Sequence, residues 1–228
     1  MRIAEIYKSL QGEGLLTGTE SVFLRTSGCN LRCWYCDTPY TSWNPTGEDL
    51  SVSEIVRQVT SLGCRHVVIT GGEPMLFAEM IPVCHQLHEA GYHITIETAG
   101  TLFLPVDCDL MAISPKGANS DPSPDDHPRW NKRHRRTRHV PAVIRKLVTQ
   151  YSYQLKFVID TPRDCEQVDE YLEEFPEISR ERVYLMPQGT TADELQARGE
   201  WLQPYCDQNQ FRFCPRMQIE WFGLRQAT

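Results

Sequence analysis

Short apolar runs rich in β-branched residues alternate along the chain with segments whose apolar residues recur at helical spacing. The apolar runs predict seven strands: SVFLRT (21–26), HVVIT (66–70), HITIET (93–98), LMAIS (110–114), QLKFVI (154–159), RVYLM (182–186) and QFRF (210–213). The helical spacing predicts helices between them, at 51–63, 75–91, 162–175 and 191–206. Because strand and helix alternate, the pattern favours an α/β fold with a parallel sheet.

The end signals of the first predicted helix are the clearest. Ser51 and Glu54 have the spacing of a capping box, and Gly63 follows the last apolar residue. The second helix contains Pro82, which weakens its prediction. Seven strands are fewer than the eight of a closed βα barrel, which typically uses about 250 residues. We therefore expect a partial, incomplete TIM-like βα barrel, and we see no internal repeat.

One segment interrupts this alternation. The stretch KGANSDPSPDDHPRWNKRHRRTRHV (116–140) contains prolines at 122, 124 and 128, and its part RWNKRHRRTR has six Lys and Arg residues and no acidic one. Such a run is usually a solvated or mobile loop. We interpret it as an insertion at about 117–140 within a single domain of residues 1–228, and a nucleic-acid or partner patch is the alternative.

Composition narrows the classes of function. The chain has 228 residues and a net charge of −7, which argues against bulk nucleic-acid binding. No apolar run reaches the 18 residues of a membrane span, so no membrane association is expected. The start, MRIAEIYKSLQGEG, does not have the apolar core of a signal peptide. We expect a cytoplasmic protein.

Nine cysteines are a high count for this length. An odd number in a chain without a secretion signal does not suggest a disulfide framework. Six are scattered in mostly apolar surroundings and are predicted to be small buried side chains: Cys64, Cys84, Cys108, Cys165, Cys206 and Cys214.

The other three, Cys29, Cys33 and Cys36, share one loop directly after the first predicted strand. Structural zinc needs four ligands, and no second pair is spaced for it. A redox pair would use Cys33 and Cys36 and leave Cys29 idle. An iron–sulfur cluster held by three cysteines leaves one iron open to a ligand from outside the protein. These interpretations compete, and the compact spacing lets one loop hold three corners of a cubane.

Two motifs then indicate a family. CNLRCWYC (29–36) resembles the CxxxCxxC signature of radical S-adenosylmethionine (SAM) enzymes, and TGGEP (70–74) resembles their GGEP motif. The resemblance implies a 4Fe–4S cluster whose open iron binds S-adenosylmethionine and cleaves it to a 5′-deoxyadenosyl radical. Either motif alone could arise by chance, but the two in this order, each after a strand, are very specific.

Further motifs narrow the resemblance. SLQGEG (9–14), ETAG, SPK, LKFV and MPQG are similar, in this order, to motifs of the 7-carboxy-7-deazaguanine synthase family of queuosine biosynthesis. The resemblance implies a carbon–nitrogen lyase that converts 6-carboxy-5,6,7,8-tetrahydropterin to 7-carboxy-7-deazaguanine with loss of ammonia. It also implies Mg²⁺, a homodimer and a flavodoxin-type electron donor, with no direct nucleic-acid substrate.

The resemblance implies three sets of site residues. Those implied to bind the substrate are Leu10, Gln11, Gly12, Glu13, Arg25, Thr70, Pro215 and Arg216. Those implied to bind S-adenosylmethionine are Tyr35, Gly72, Glu73, Glu97, Ser114, Pro115, Lys116 and Gln188. Those implied to bind metal are Cys29, Cys33 and Cys36 for the cluster and Thr38 for magnesium.

Some of these roles also follow from side-chain chemistry. The amide of Gln11 can bond the edge of a polar ring, and the guanidinium fork of Arg25 suits a carboxylate. Asp37 is the residue that chemistry alone would choose as the magnesium ligand, so the assignment to Thr38 rests on the resemblance.

Three other functions stay open at this point. A zinc-bearing RNA-binding module would use the cysteine loop and the basic run. An activating enzyme for a glycyl-radical protein shares CxxxCxxC but would not contain LQGEG. Another radical enzyme acting on a different small molecule is the nearest alternative.

Overall fold

A computed structural model describes residues 1–223 and arranges its strands in one sheet. The strands are β1 (Arg2–Leu10), β2 (Glu20–Thr26), β3 (Glu48–Asp49), β4 (His66–Gly71), β5 (His93–Thr98), β6 (Leu110–Ile113), β7 (Tyr153–Ile159), β8 (Val183–Pro187) and β9 (Arg212–Phe213). Their order across the sheet is β3-β1-β2-β4-β5-β6-β7-β8-β9.

Helices follow most of the strands. They are α1 (Pro39–Ser42), α2 (Val52–Ser61), α3 (Met80–Glu89), α4 (Pro128–Thr137), α5 (Pro141–Gln150), α6 (Pro162–Glu174), α7 (Ala192–Asn209) and α8 (Met217–Phe222). Short 3₁₀ turns lie at Pro74–Leu76, Ala118–Ser120 and Arg180–Arg182. A search of the described residues found no helix with the length and apolar character that crossing a membrane requires.

The sheet stays open. Each neighbouring pair from β2 to β9 is parallel, whereas β1 runs antiparallel to both β2 and β3. Since β3 and β9 end the sheet without pairing to each other, the barrel is incomplete, as the strand count predicted. The carboxyl ends of the seven parallel strands β2 and β4 to β9 meet at one edge, the position where βα barrels carry their chemistry.

The core lies between this sheet and the helices. The strands contribute fully buried apolar side chains such as Leu24, Ile69 and Ile96, and the helices contribute others such as Ile55 and Leu87. Cys64, Cys84, Cys165 and Cys206 are buried in this core, and Cys214 is buried in a small separate cluster with Tyr184 and Met186, which confirms for these five the prediction of small buried side chains. Cys108 is partly exposed.

The sequence pattern found most of these elements. All seven predicted strands form, although the last shortens to two residues, and the capping box of Ser51 and Glu54 is present at the start of α2. The predicted helix 75–91 begins only at Met80, so Pro82 lies in its first turn, where an N–H has no partner within the helix. The sequence pattern did not predict strand β1, because most of its residues are half buried and buried and exposed positions do not alternate strictly along it.

The interpretation of residues 117–140 as a solvated loop is wrong. The basic part forms α4, whose first residue is Pro128, a position that tolerates proline because its N–H would be unpaired anyway. Ser120 and His134 are fully buried, so this segment packs onto the protein. The high charge and proline content of this segment conceal a helix that begins at its own proline and buries a single polar side chain, His134. Helix α5, which directly follows, was also missed.

Two loops at the carboxyl edge touch backbone to backbone. The N–H of Gly72 donates to the carbonyl of Thr26 at 3.2 Å, and the N–H of Glu73 donates to the carbonyl of Gly28 at 2.9 Å. A Cβ on Gly72 would lie 2.2 Å from the oxygen of Gly28, and Gly71 has φ +139°. The TGGEP glycines are therefore required by the fold itself, because they let this loop lie against the start of the cysteine loop.

We expect Gly72→Ala to lower the free energy of unfolding of the apoprotein by about 1–3 kcal/mol, because the new methyl group overpacks a backbone contact. Gly199→Ala is the matched control: Gly199 lies inside α7, and its added Cβ would meet Phe213 at an ordinary 3.5 Å. There alanine should stabilise the helix by about 0.5–1 kcal/mol. Urea unfolding followed by circular dichroism measures both, and changes of the same sign would contradict the close approach.

Candidate active site

A cavity of about 280 Å³ opens at the carboxyl edge of the sheet. It brings together most of the predicted site residues, which are Gln11, Gly12, Glu13, Arg25, Cys29, Cys33, Tyr35, Cys36, Thr38, Thr70, Gly72, Glu97, Ser114, Lys116, Gln188 and Arg216. The other predicted residues, Leu10, Glu73, Pro115 and Pro215, do not line it. The lining residues that follow or end β2, β4, β5, β6 and β8 meet here because parallel strands end at the same edge. Gln11, Gly12 and Glu13 instead follow β1, which runs antiparallel to β2 and ends beside its first residue.

The three loop cysteines line one cavity. Burial raises the pKa of Cys29 to about 12 and, with the nearby thiols adding to it, that of Cys33 to about 12. The sulfur of Cys36 lies 3.2 Å from the hydroxyl of Ser42. Metal binding would therefore have to displace protons from buried thiols, as thiolate ligation requires.

The donor set suits a cluster better than a single ion. Within residues 1–223, no three His, Cys, Asp or Glu side chains are arranged to hold one metal ion. A cubane does not need that arrangement, because each cysteine binds a different iron and the thiolates stay apart. Three thiols from one loop, facing one cavity, fit three corners of such a cluster.

The cysteine loop is tied down by its own side chains. The guanidinium of Arg32 donates to the carbonyls of Cys29 and Leu31 at 2.8 and 2.7 Å. The indole of Trp43 donates to the carbonyl of Cys33 at 3.1 Å. These bonds hold the loop in shape where it has little regular backbone pairing of its own.

Glu73 is held behind the cavity wall. Its carboxylate is fully buried and accepts hydrogen bonds from the N–H groups of Met75 and Ala99 and from the hydroxyl of Thr98. Burial raises its pKa despite these donors. The side chain therefore joins the TGGEP loop to the ETAG loop, and only the backbone of this residue remains for a ligand.

The LQGEG loop lies at another wall. Gln11 is buried and donates to the hydroxyl of Ser21 at 2.9 Å, while Leu10 points partly into solvent, with 37% of its surface exposed. The carbonyl of Gly12 accepts from the N–H of Met217 at the start of α8. The loop is thus joined to the C-terminal helix.

Arg25 reaches the cavity from β2, and two side chains of β1 fix it. Its Nε donates to Glu5 at 2.6 Å and its Nη2 donates to the hydroxyl of Tyr7 at 3.0 Å. Its Nη1 makes no hydrogen bond within the described part of the chain. The guanidinium group of Arg25 is therefore held in a fixed orientation, and its Nη1 is available to bond a ligand in the cavity.

A buried charge network closes the far side. Glu13 pairs with the ammonium of Lys156 in a short contact, with Arg216 at 3.2 Å, and with the amide of Gln218 at 2.6 Å. Burial alone would raise the pKa of Glu13, but the charges of Lys156 and Arg216 lower it to about 2. Lys156 also lies 3.4 Å from Glu97.

Sequence reasoning missed Lys156 as a site residue. The signal was present, because LKFV was among the recurring motifs and its lysine stands in a strand that is otherwise apolar. A lysine with 7% of its side chain exposed is costly unless it is paired, which points to a site. Gln218 gave no such signal, because only folding brings α8 to the LQGEG loop.

Asp37 and Thr38 stand side by side at the cavity. Asp37 makes a short contact with Arg216 and keeps 40% of its side chain exposed. The hydroxyl of Thr38 accepts from Thr41 at 3.3 Å and lies 3.9 Å from the sulfur of Cys36. Two hard oxygen donors therefore face the same space next to the cysteine loop.

The strand-end residues predicted for S-adenosylmethionine lie along one side. Lys116 donates to the carbonyl and hydroxyl oxygens of Ser114 at 2.7 and 2.6 Å. The N–H of Gln188 donates to Ile159 at 2.8 Å, which fixes its backbone next to β7. Burial raises the pKa of Tyr35 well above its ordinary value, so this phenol stays neutral.

Comparison with known proteins identifies the family. The model of the Radical SAM superfamily matches residues 23–148. A 7-carboxy-7-deazaguanine synthase of Rhodopirellula baltica is 45% identical, covering 99% of this chain and 88% of the relative. One of Halobacterium salinarum is 42% identical over 95% of this chain and 88% of the relative. These matches favour the radical enzyme over a zinc-bearing RNA-binding module.

Solved structures agree on the fold. The crystal structure of QueE from Escherichia coli has a TM-score of 0.69 at 23% identity and covers 94% of this chain and 92% of its own. TYW1 with a lysine–pyruvate adduct bound has a TM-score of 0.53 at 11% identity, covering 81% of this chain and 73% of its own. From the cysteine loop, the glycine loop and full-length relatives together, the chain belongs to the 7-carboxy-7-deazaguanine synthase family of radical SAM enzymes.

Proposed function

We propose that the chain converts 6-carboxy-5,6,7,8-tetrahydropterin to 7-carboxy-7-deazaguanine with loss of ammonia, as a carbon–nitrogen lyase of queuosine biosynthesis. The observation that carries this proposal is the convergence of three thiols, the glycine loop and a set of buried charges on a single cavity. The lining around the thiols suits a cluster and its cofactor, and the lining around Gln11, Arg25 and Lys156 suits a polar, carboxylate-bearing ring. The relatives named 7-carboxy-7-deazaguanine synthase, similar over nearly the whole chain, support the same reaction.

For the cluster, we assign Cys29, Cys33 and Cys36 as the ligands. When bound, the 4Fe–4S cluster and S-adenosylmethionine supply a 5′-deoxyadenosyl radical, and S-adenosylmethionine is regenerated at each turnover. The protein's part is to exclude water and to hold the reacting groups in register. The backbone at Gly72 and Glu73 suits the methionyl end, because glycine allows close approach.

The remaining cofactor contacts follow from the strand ends. Glu97, Ser114 and Gln188 present oxygen and amide groups to the cavity from the ends of β5, β6 and β8, as a ribose or an amino group requires. Tyr35 and Lys116 complete this side. Pro115 lies outside the lining and would act only through the backbone it shapes.

For the substrate, we assign Arg25 as the partner of the carboxylate. Glu5 and Tyr7 hold its guanidinium, so it offers its available corner without first losing side-chain freedom. Gln11 and Thr70 can bond the polar edge of the ring, together with the backbone near Leu10 and Gly12.

Lys156 extends this wall. It is buried, and although burial would lower its pKa, Glu13 and Glu97 raise it, so the ammonium stays charged. A fixed positive group between two carboxylates can orient a polar ring without taking a proton from it. Arg216 acts from the same network, while Pro215 precedes it and shapes its position.

For magnesium, we propose Thr38 as the protein ligand, with Asp37 next to it. Mg²⁺ prefers hard oxygen donors and usually keeps several waters and substrate oxygens. The position of Thr38 beside both the cysteine loop and the cavity supports this assignment.

We propose three further features, the first two implied by the family resemblance and the third by the sequence. These are a homodimer, a flavodoxin-type electron donor, and one domain that spans the chain with residues 117–140 as an insertion. The single sheet and the shared main core of the described residues support one domain.

The direct test of the function is product analysis. Protein reconstituted anaerobically with iron and sulfide, then supplied with reductant, S-adenosylmethionine, Mg²⁺ and the carboxylated pterin, should release 7-carboxy-7-deazaguanine, identified by mass spectrometry. Cys33→Ala should abolish both the visible absorption of the cluster and the product, since it removes one of three ligands. Cys165→Ala changes a buried cysteine of α6 that does not line the cavity. This variant should retain both the cluster absorption and the product. A loaded wild-type protein that cleaves S-adenosylmethionine yet makes no product would reject the substrate assignment while leaving the cluster assignment intact.

We expect Arg25→Lys to reduce turnover of the pterin roughly tenfold or more, because an ammonium cannot bond Glu5, Tyr7 and a substrate carboxylate in the same geometry; the lost bonding amounts to as much as ~3 kcal/mol. Cluster absorption and slow, uncoupled S-adenosylmethionine cleavage should persist. Arg2→Lys, on the exposed side of β1, is the matched control and should behave as wild type. If the Arg25→Lys variant turns over subsaturating substrate as fast as the wild type, Arg25 does not bind the substrate carboxylate.

We expect Glu13→Gln to destabilise the apoprotein at pH 7 by about 3 kcal/mol, because it leaves two buried cations without their shared partner. This loss is at the low end of the range for breaking a buried ion pair, because Lys156 is still paired with Glu97 and Arg216 is still paired with Asp37. The folded-state pKa is lowered from 4.5 to about 2, so the difference from wild type should shrink as the pH falls through that window.

The matched control is Glu20→Gln, which breaks an exposed pair with Lys8 at 2.9 Å and should cost at most about 1 kcal/mol. Urea unfolding at pH 7 and at acidic pH measures both variants. Equal losses in the two would show that the network is not electrostatically important.

A further inference from the structure

The segment 117–140 contacts the cysteine loop. It bonds the two residues that flank Cys33: Arg32 through the buried His134, and Trp34, whose side chain is largely exposed, through Asn119 and Ser120. This contact is separate from the cavity, because it lies on the outer side of the cysteine loop and its residues do not line the cavity.

On one side of Cys33, the contact runs through His134. The backbone N–H of Arg32 donates to Nδ1 of His134 at 3.0 Å, so Nδ1 carries no proton and Nε2 carries it. Nε2 then donates to the hydroxyl of Ser120 at 2.9 Å, and that hydroxyl donates to the carbonyl of Gly117 at 2.7 Å. Both ends of the fully buried imidazole are thus satisfied, and its tautomer is fixed.

The imidazole stays neutral at ordinary pH. Burial lowers the pKa of His134 to about 4, and the positive charges of Arg138 and Lys116 act in the same direction. The carboxylate of Asp121 lies 3.8 Å from Nε2 but is itself paired with Arg138 at 3.0 Å. The hydrogen bonds of His134 to the Arg32 N–H and to Ser120 therefore stay the same near neutral pH.

On the other side of Cys33, the contact runs through Trp34. Its backbone N–H donates to the carbonyl of Ser120 at 3.3 Å, and its indole N–H donates to the carbonyl of Asn119 at 2.6 Å. Asn119 in turn donates to the carbonyl of Val158 in β7 at 2.9 Å. This side of the loop is therefore tied to the sheet itself.

Aromatic rings complete the contact. The guanidinium of Arg32 lies 4.0 Å from the ring centre of Trp130 in α4. Trp43, which donates to the carbonyl of Cys33, packs its ring against His127 with 4.6 Å between centroids. Two side chains that bond the carbonyls of the cysteine loop, Arg32 and Trp43, thus pack against the segment.

We propose that residues 117–137 act as a clamp that positions Cys33 as a cluster ligand, with His134 as the central positioning residue. The inference rests on the cluster assignment made above. His134 does not touch the reacting atoms; it sets the backbone next to one ligand, as outer groups do around metal sites. Arg32 and Trp43 hold carbonyls of the loop, whereas the backbone N–H groups on both sides of Cys33, those of Arg32 and Trp34, donate to the clamp, which in this way helps to set where the middle thiolate lies.

The test compares substitutions at one position. His134→Leu removes the acceptor for the Arg32 N–H, whereas the oxygen of His134→Asn can replace Nδ1 and keep that bond. Lys132→Ala, on the exposed face of the same helix, is the control. Each full-length protein is reconstituted anaerobically, and three quantities are measured: iron per protein, loss of iron to a chelator, and the electron paramagnetic resonance spectrum of the reduced cluster. Thermal melting of each apoprotein reports the fold.

We expect His134→Leu to lose its cluster to the chelator roughly tenfold more readily than wild type and to show an altered spectrum. His134→Asn should restore most of the retention, and Lys132→Ala should match wild type. A folded His134→Leu protein with wild-type retention and spectrum would overturn the proposal, as would failure of Asn to perform better than Leu.

If His134→Leu does not fold, Ser120→Ala decides the question. It removes the acceptor of Nε2 and frees the imidazole to turn, while leaving a smaller side chain in a buried position. Increased iron loss with an altered spectrum supports the clamp. A lowered melting temperature with an unchanged cluster would show that the segment only stabilises the fold and would overturn the positioning role.

Discussion

The site depends on a backbone contact between two loops. The glycine loop after β4 lies against the start of the cysteine loop after β2, with hydrogen bonds from Gly72 and Glu73 to Thr26 and Gly28. No side chain fits between them, since a Cβ on Gly72 would lie 2.2 Å from a carbonyl oxygen. This constraint places the thiols and the cofactor loop on one wall, and the arrangement of the remaining polar groups follows from it.

Another part of the cavity lining is built from paired charges. Glu13 lies between Lys156 and Arg216, and Arg216 continues to Asp37 beside the cysteine loop. Isolated, the buried charges of Glu13, Lys156 and Arg216 would be costly, but as a network they compensate one another and, with Asp37, hold four parts of the chain together. The network also connects the LQGEG loop to the C-terminal helix through Gln218, so the same ions that face the cavity close its rim.

The basic segment shows how one helix can have two different faces. His134 points inward and is fully buried, whereas Arg129, Lys132 and Arg136 remain exposed. Composition averages over these faces and therefore suggests solvation. The inner face is short and polar, so it carries no apolar stripe by which its helix could be recognised.

What the sequence determined by itself was the order of the elements and the chemistry of the two motifs. Seven strands, the start of α2, the three cysteines and the glycine loop could be read locally, because apolar periodicity and ligand spacing are local properties. Most of the candidate site residues could then be named through the family resemblance, since they stand at strand ends. The tertiary structure alone decided which partners these residues have. It placed Glu5 on Arg25, enclosed Glu73 behind the wall, brought Lys156 to Glu13 and set His134 against Arg32. Those pairs join residues from 20 to 143 positions apart, and hydrogen bonding and charge pairing between such residues depend on how the sheet brings them together, which no local pattern records.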